Sequence, residues 1–98
     1  MKKNEEFVAK ARTIIGPDME LMLDCWMALD VEFTVRLAER LRPYALKWIE
    51  DCLLPENLDG QNELRRRLPW MTLATGEHWY SPFTFASSAA TKSADIFQ

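Results

Sequence analysis

Apolar positions along the chain follow two different spacings. Four segments repeat apolar residues every three or four positions, the period of one face of a helix. Between them lie short runs that are almost wholly apolar, a pattern typical of strands covered on both faces in a parallel sheet. We predict helices over residues 4–15, 31–44, 58–68 and 82–93, and strands over 20–24, 46–50 and 71–77, with a further strand beginning at 95.

Several residues define the ends and buried faces of these helices. Asp30 is predicted to cap the second helix, Pro43 to end it, and Ser81 with Pro82 to open the fourth. The predicted buried faces comprise Phe7, Val8, Ala11, Ile14 and Ile15 in the first helix, Phe33, Leu37, Ala38 and Leu41 in the second, and Leu64 and Leu68 in the third.

The alternation of helices and strands indicates an α/β fold. Its period of about 26 residues implies parallel βα units joined by right-handed crossovers. A complete eight-unit barrel needs roughly 250 residues, whereas this chain has 98. We therefore predict one domain with the form of a partial TIM-type barrel, about three βα units plus a terminal strand.

Each of the first three predicted strands ends in a carboxylate, at nearly the same period. Asp24 and Glu50 are 26 residues apart, and Glu50 and Glu77 are 27 apart. The C-terminal ends of parallel strands meet at one rim, where α/β folds keep their sites. Three clustered carboxylates need compensating charge, and oxygen ligands suit Mg²⁺, which can stabilise an enolate. For any one of these acids, a helix cap or a loop residue is the alternative.

Other polar residues near the strand ends are candidates of different kinds. His78 follows Glu77 directly and is a candidate catalytic residue, although a hydrogen-bonded structural histidine is the alternative. Asp51 is predicted to point to the opposite side from Glu50 and is excluded from the candidate metal ligands. Trp48 lies two residues before Glu50, so its side chain is predicted to point to the same side of the strand as that of Glu50. Cys25 and Cys52 have no CxxC or zinc spacing and are expected to be free thiols.

Composition narrows the function classes. Hydrophobic residues make up 48% of the chain, which is typical of a globular protein, and the net charge of −3 argues against a general binder of nucleic acid or anionic membranes. We interpret Arg65-Arg66-Arg67 as a solvated helix face. Residues 1–6 lack the apolar core of a signal peptide, and no run reaches the roughly 20 apolar residues of a membrane span. A soluble, cytoplasmic protein is expected.

Three segments resemble a known family. They are residues 23–32, 46–53 and 74–80, which read LDCWMALDVE, LKWIEDCL and ATGEHWY. They are similar to the L-rhamnonate dehydratases, which are acid-sugar dehydratases in the mandelate racemase-like branch of the enolase superfamily. The resemblance extends through essentially the whole chain.

The resemblance implies a particular fold, site and reaction. The fold is a (β/α)₇β barrel with an α+β capping domain, and residues 1–98 correspond to part of the barrel. Asp24, Glu50 and Glu77 match the Mg²⁺ ligands, and His78 matches an active-site histidine beside the third ligand. The reaction converts L-rhamnonate to 2-keto-3-deoxy-L-rhamnonate and water through an enediolate.

The chain also departs from the family pattern. The capping domain, a basic motif on the second strand, and the later strands that carry the histidine base and its aspartate partner have no counterpart in the 98 residues. Ala45 stands where glycine is expected, and Gln61-Asn62 and residues 90–92 have drifted. We interpret the chain as a piece of a dehydratase, whether a truncated gene, a gene-model fragment or a decayed copy, and expect it to be inactive alone.

Two other functions stay open at this point. One is a non-catalytic remnant that associates with itself through exposed sheet edges. The other is a small flavodoxin-like binding domain, which is disfavoured because no glycine-rich phosphate loop follows any strand.

Overall fold

Helices and strands alternate along the chain as predicted. The computed structural model describes all residues from 1 to 98. The helices are α1 (Lys2–Ile15), α2 (Val31–Leu41), α3 (Leu58–Arg67) and α4 (Pro82–Thr91). The strands are β1 (Leu23–Asp24), β2 (Ile49–Glu50), β3 (Leu73–Thr75) and β4 (Ile96–Phe97). A short 3-10 helix, Arg42–Tyr44, follows α2 directly.

The four strands form one parallel sheet in chain order. Asp24 pairs with Glu50 across β1 and β2, and Glu50 pairs with Ala74 across β2 and β3. The paired strands are shorter than the predicted runs, although backbone hydrogen bonds between the flanking segments extend the pairing: the Lys47 amide donates to the carbonyl of Leu21. The predicted α/β partial barrel of about three βα units and a terminal strand is confirmed.

The main core lies between the sheet and helices α2 and α3. Leu64 and Leu68 are 1% and 0% exposed, which confirms the predicted face of the third helix. They pack with strand residues such as Ile49 and Leu73, whose side chains alternate with those of the rim-facing acids. This packing holds the ends of the strands at fixed spacing.

The predicted buried face of α1 is only partly correct. Val8 is buried and packs against Leu37 and Leu41 of α2. Phe7 and Ile14, by contrast, are 71% and 74% exposed. Residues 7 and 14 lie one heptad apart and share a stripe about 100° from Val8, so a helix that packs on α2 through Val8 leaves that stripe in solvent.

The helix ends follow the local sequence. The Asp30 carboxylate accepts a hydrogen bond from the Phe33 amide at 2.7 Å, and the Ser81 hydroxyl accepts one from the Phe83 amide at 3.2 Å. The α-helical hydrogen bonding of α2 ends at Leu41, two residues before Pro43. Ala45 then adopts a left-handed conformation with φ of 50°, the backbone geometry that favours the glycine expected there.

Arg65 differs from the solvated arginine that the sequence predicts. Its guanidinium donates to the carbonyls of Leu68 and Met71 and forms an ion pair with Asp95, and its side chain is 19% exposed. The physical reason is that these carbonyls follow the end of α3 and lack partners within the helix. Arg65 therefore connects α3 to the segments that lead into β3 and β4.

Two further observations concern the thiols and the helices as a whole. Cys25 and Cys52 are free, as expected, with their sulfur atoms 3.7 Å apart. None of the helices has the length and apolar character that crossing a membrane requires.

Candidate metal and catalytic site

Three carboxylates converge where β1, β2 and β3 end. One oxygen from each of Asp24, Glu50 and Glu77 lies within 4.8 Å of the other two. Asp24 and Glu50 come from paired positions of neighbouring parallel strands, which places their side chains on one face of the sheet. We call this set the carboxylate trio.

Glu77 reaches the trio from a turn rather than from a strand. The prediction placed it at the end of a strand over 71–77, but β3 ends at Thr75. Gly76 follows with φ of 118°, and a Cβ there would lie 2.9 Å from the Phe85 ring and 3.3 Å from the Gln98 backbone. Only glycine fits this close approach, and the turn it permits carries Glu77 and His78 over the strand end.

Polar contacts hold two of the three carboxylates in place. Asp24 accepts a hydrogen bond from the Trp26 amide at 2.9 Å. Glu50 accepts one from the Trp48 indole at 2.9 Å and another from the Gln98 side-chain amide at 2.8 Å. Trp48 and Glu50 therefore share a face, as their parity predicts. These donors orient the carboxylates without supplying a full positive charge.

The charges of the site affect Glu77 most. The close approach of the Asp51 carboxyl is the main factor that raises the pKa of Glu77, and burial and Asp24 add to the effect. His78 acts in the opposite direction. A carboxylate that resists ionisation because of its neighbours marks a place where a cation would be stabilised.

His78 lies beside the trio, between two carboxylates. Its Nε2 atom is 3.4 Å from Glu77 Oε1 and 3.6 Å from Asp51 Oδ2. The indole of Trp26 meets the imidazole edge to face, with ring centroids 6.2 Å apart. The side chain is 25% exposed, so it combines a fixed position with access from solvent.

Asp51 lies beside Glu77 and His78, although strand parity excluded it from the predicted metal ligands. It is 3% exposed, and its Oδ1 accepts a hydrogen bond from the Thr75 hydroxyl at 2.9 Å. Strand parity did not predict this contact because it applies only within the sheet, whereas Glu77 and His78 reach Asp51 through the turn at Gly76. The acidic doublet Glu50-Asp51 at the end of an apolar strand was the signal that could have found it.

The trio is open to solvent. A groove of about 540 Å³ lies beside His78, and none of the three carboxylates contributes to its walls. The residues that line it are Pro55, Glu56, Leu58, His78, Trp79, Tyr80, Ser81 and Thr84. The site therefore combines three oxygen ligands for a hard cation with one histidine that can exchange a proton.

These features define a class of protein. A parallel βα segment whose successive strands end in carboxylates that meet at one rim is the architecture of a metal-dependent barrel enzyme. The whole chain, residues 1–98, matches the family described as Enolase C-terminal domain-like, and the chain belongs to that family.

Particular relatives are dehydratases. The chain is 46% identical over 96 residues to an L-rhamnonate dehydratase from Saccharopolyspora erythraea, covering 97% of this chain and 25% of the relative. Among solved structures, L-rhamnonate dehydratase from Gibberella zeae superposes with a TM-score of 0.95 at 37% identity, covering 99% of this chain and 25% of the other.

The same Gibberella zeae enzyme has been solved in complex with Mg, and it too gives a TM-score of 0.95 at 37% identity, over 99% of this chain and 24% of the other. The chain thus spans about a quarter of the length of the relatives that it matches.

Proposed function

We propose that this chain is the metal-binding segment of an Mg²⁺-dependent acid-sugar dehydratase that acts on L-rhamnonate. In this assignment Asp24, Glu50 and Glu77 are the metal ligands and His78 is a catalytic residue. The observation that carries the proposal is the convergence of the three carboxylate oxygens within 4.8 Å. The identity to L-rhamnonate dehydratase over the chain supports the substrate class.

The residues of the trio fit a magnesium ion. All three offer oxygen atoms, which is the ligand type that Mg²⁺ prefers. The nearby Asp51 carboxyl is the main cause of the raised pKa of Glu77, and burial and Asp24 add to it; a divalent cation bound here would favour the ionised form of Glu77. Mg²⁺ bound here would supply the positive charge that stabilises the negative charge developing on a substrate carboxylate when the adjacent proton leaves.

His78 would handle a proton at the substrate. A dehydration needs one group to take the proton next to the carboxylate and another to assist departure of the hydroxyl group as water. His78 is the only histidine in the chain, and the trio would be engaged as ligands. His78 therefore fills one of the two roles, either taking a proton or donating one to the leaving hydroxyl.

Metal binding is tested directly by calorimetry. Titrating the folded chain with Mg²⁺ should give weak binding, because the trio is open to solvent and few neighbouring groups support it. Glu50→Gln should reduce the affinity at least about tenfold, the lower end of the loss seen even when outer partners of a metal are removed. Glu56→Gln, the same change at an exposed glutamate outside the trio, should leave the affinity unchanged. Absence of heat from a folded sample, or equal loss in both variants, would contradict the proposal.

We further propose that the 98-residue chain alone has no dehydratase activity and associates with itself. One histidine cannot serve as both the base and the acid from one side of a substrate, and loss of a general base alone costs about 10²–10⁴-fold. β1 and β4 each have an unpaired edge, and such edges recruit other chains. Incubation with Mg²⁺ and L-rhamnonate, followed by product analysis and sedimentation velocity, tests both parts. A compact monomer that forms the 2-keto-3-deoxy acid would refute them together.

A non-catalytic remnant is the second candidate function, favoured by the same open edges. A chain that associates with itself but binds no Mg²⁺ at the trio would favour this function over the dehydratase segment.

A further inference from the structure

Two buried polar atoms of the site face each other without a hydrogen-bond partner. They are Asp51 Oδ2 and His78 Nε2, which are 3.6 Å apart. They are the only buried side-chain nitrogen or oxygen atoms in the chain that lack a partner. An unsatisfied buried polar group is costly, and a carboxylate facing a ring nitrogen resolves both deficits when the nitrogen carries a proton.

Asp51 is held so that its free oxygen points at the histidine. Its backbone amide donates to the carbonyl of Ala74, and its own carbonyl accepts from the Met27 amide. Its Oδ1 accepts the hydrogen bond of Thr75. The backbone sits at φ of 44°, a left-handed conformation that a non-glycine residue adopts at functional sites when its surroundings enforce it.

We propose that Asp51 is a positioning residue that accepts a hydrogen bond from Nε2–H of His78 and so determines which ring nitrogen is protonated. Nδ1 is then the nitrogen with the free lone pair. The Asp51 carboxylate holds the ring in this tautomer and orientation, as the aspartate of a catalytic triad does.

Glu77 is the other carboxylate near Nε2, but it is less suited to this task. Its side chain is 43% exposed, against 3% for Asp51. It also belongs to the trio, where its oxygen would be shared with a cation. Asp51 lies outside the trio, so its carboxylate stays available to the histidine. The use of Nδ1 in catalysis rests on the proposed function, whereas the contact itself does not.

The contact can be tested on the ring nitrogens without metal or substrate. Because the chain has one histidine, ¹⁵N labelling of histidine reports on His78 alone. Magic-angle-spinning NMR of the sedimented chain at about pH 8.5, two pH units above the ordinary pKa of histidine, distinguishes a protonated from an unprotonated ring nitrogen even if the chain associates. In the unsubstituted chain we expect Nε2 to be protonated.

Asp51→Asn should reverse this result. The Thr75 hydroxyl donates to the amide oxygen as it now donates to Oδ1, which leaves the amide NH₂ facing Nε2. A donor in that position requires a lone pair on Nε2, so the proton moves to Nδ1. If Asp51 served only in folding, its substitution would not move the proton from Nε2 to Nδ1. Asp18→Asn, the same change at an exposed aspartate, should leave the spectrum unchanged.

A variant that keeps the proton on Nε2 would overturn the proposal. If circular dichroism shows that Asp51→Asn does not fold, the unsubstituted chain provides the test. With ¹⁵N-histidine and ¹³C-aspartate, Nε2 should show a dipolar coupling to one carboxylate carbon, since Asp51 is the only aspartate with an oxygen within 4.0 Å of that nitrogen. Absence of the coupling also overturns the proposal. Both measurements are made without Mg²⁺. A failure of the chain to bind metal would therefore not change their outcome, and the two proposals can fail independently.

Discussion

The hydrogen bond between Thr75 and Asp51 offers a quantitative test of how the site is built. Thr75→Val preserves the branched shape of the side chain and removes only the hydroxyl. Thr75 is 7% exposed and Asp51 is 3% exposed, so water cannot readily replace the lost donor. After the substitution Asp51 Oδ1 has no hydrogen-bond donor within the chain.

The expected cost follows from the charge of the acceptor. A hydrogen bond to a charged group contributes about 1.5–3 kcal/mol to stability, against about 0.5–1.5 kcal/mol for a neutral pair. We therefore expect Thr75→Val to lower the free energy of unfolding by about 2 kcal/mol. For a domain of this size, that corresponds to a decrease in the melting temperature of roughly 8–16 °C.

Thr34→Val is the matched control. Thr34 is 1% exposed, and its hydroxyl donates to the neutral carbonyl of Asp30 at 2.6 Å. That carbonyl also accepts the backbone amide of Thr34, so it keeps a partner after the substitution. Thr34→Val should therefore lower the free energy of unfolding by about 1 kcal/mol.

Urea denaturation followed by circular dichroism, at several protein concentrations so that association is accounted for, compares the two variants. Equal losses for Thr75→Val and Thr34→Val, or a stabilised Thr75→Val, would refute the view that Asp51 is a buried charged group held by Thr75.

Three other predictions address separate features. Ala45→Gly should stabilise the chain by about 1 kcal/mol, because the left-handed backbone penalises a Cβ there, and an unchanged melting temperature would count against it. Burial and the hydrogen bond with Cys25 raise the pKa of the Cys52 thiol, the hydrogen bond most. Less thiolate forms on Cys52 at a given pH, so iodoacetamide should modify Cys25 first when followed by mass spectrometry. In a full-length enzyme containing this segment, His78→Asn should lower turnover much more than Mg²⁺ affinity, and unchanged turnover would make the residue structural.

The order of the elements and much of the core were predictable because their determinants are local. The capping side chains of Asp30 and Ser81 contact amides two or three residues away. Leu64 of α3 and Leu68, directly after its last residue, lie on one side by helical period alone. The period of the three acids likewise indicated a common rim, since in a parallel sheet equivalent positions of successive strands meet.

Contacts between segments could not be predicted in this way. Asp51 and Thr75 are 24 residues apart, and their pairing depends on the register of β2 against β3. Whether Asp51 meets His78 depends further on the turn at Gly76, whose left-handed backbone redirects the chain after the strand ends. The alternation of side chains between the two faces holds only within a strand, so it does not predict where the side chains of a turn point.

The sequence by itself therefore determined that Asp24 and Glu50 end strands, because hydrophobic period and strand direction are properties of neighbouring residues. Only the tertiary structure decided that Glu77 reaches the trio from a turn, that Asp51 lies beside His78, that Arg65 connects α3 to the following strands, and that Phe7 and Ile14 stay in solvent. Each of these depends on where a distant backbone group or helix lies, and the free energy that selects the position is shared among residues far apart in the chain.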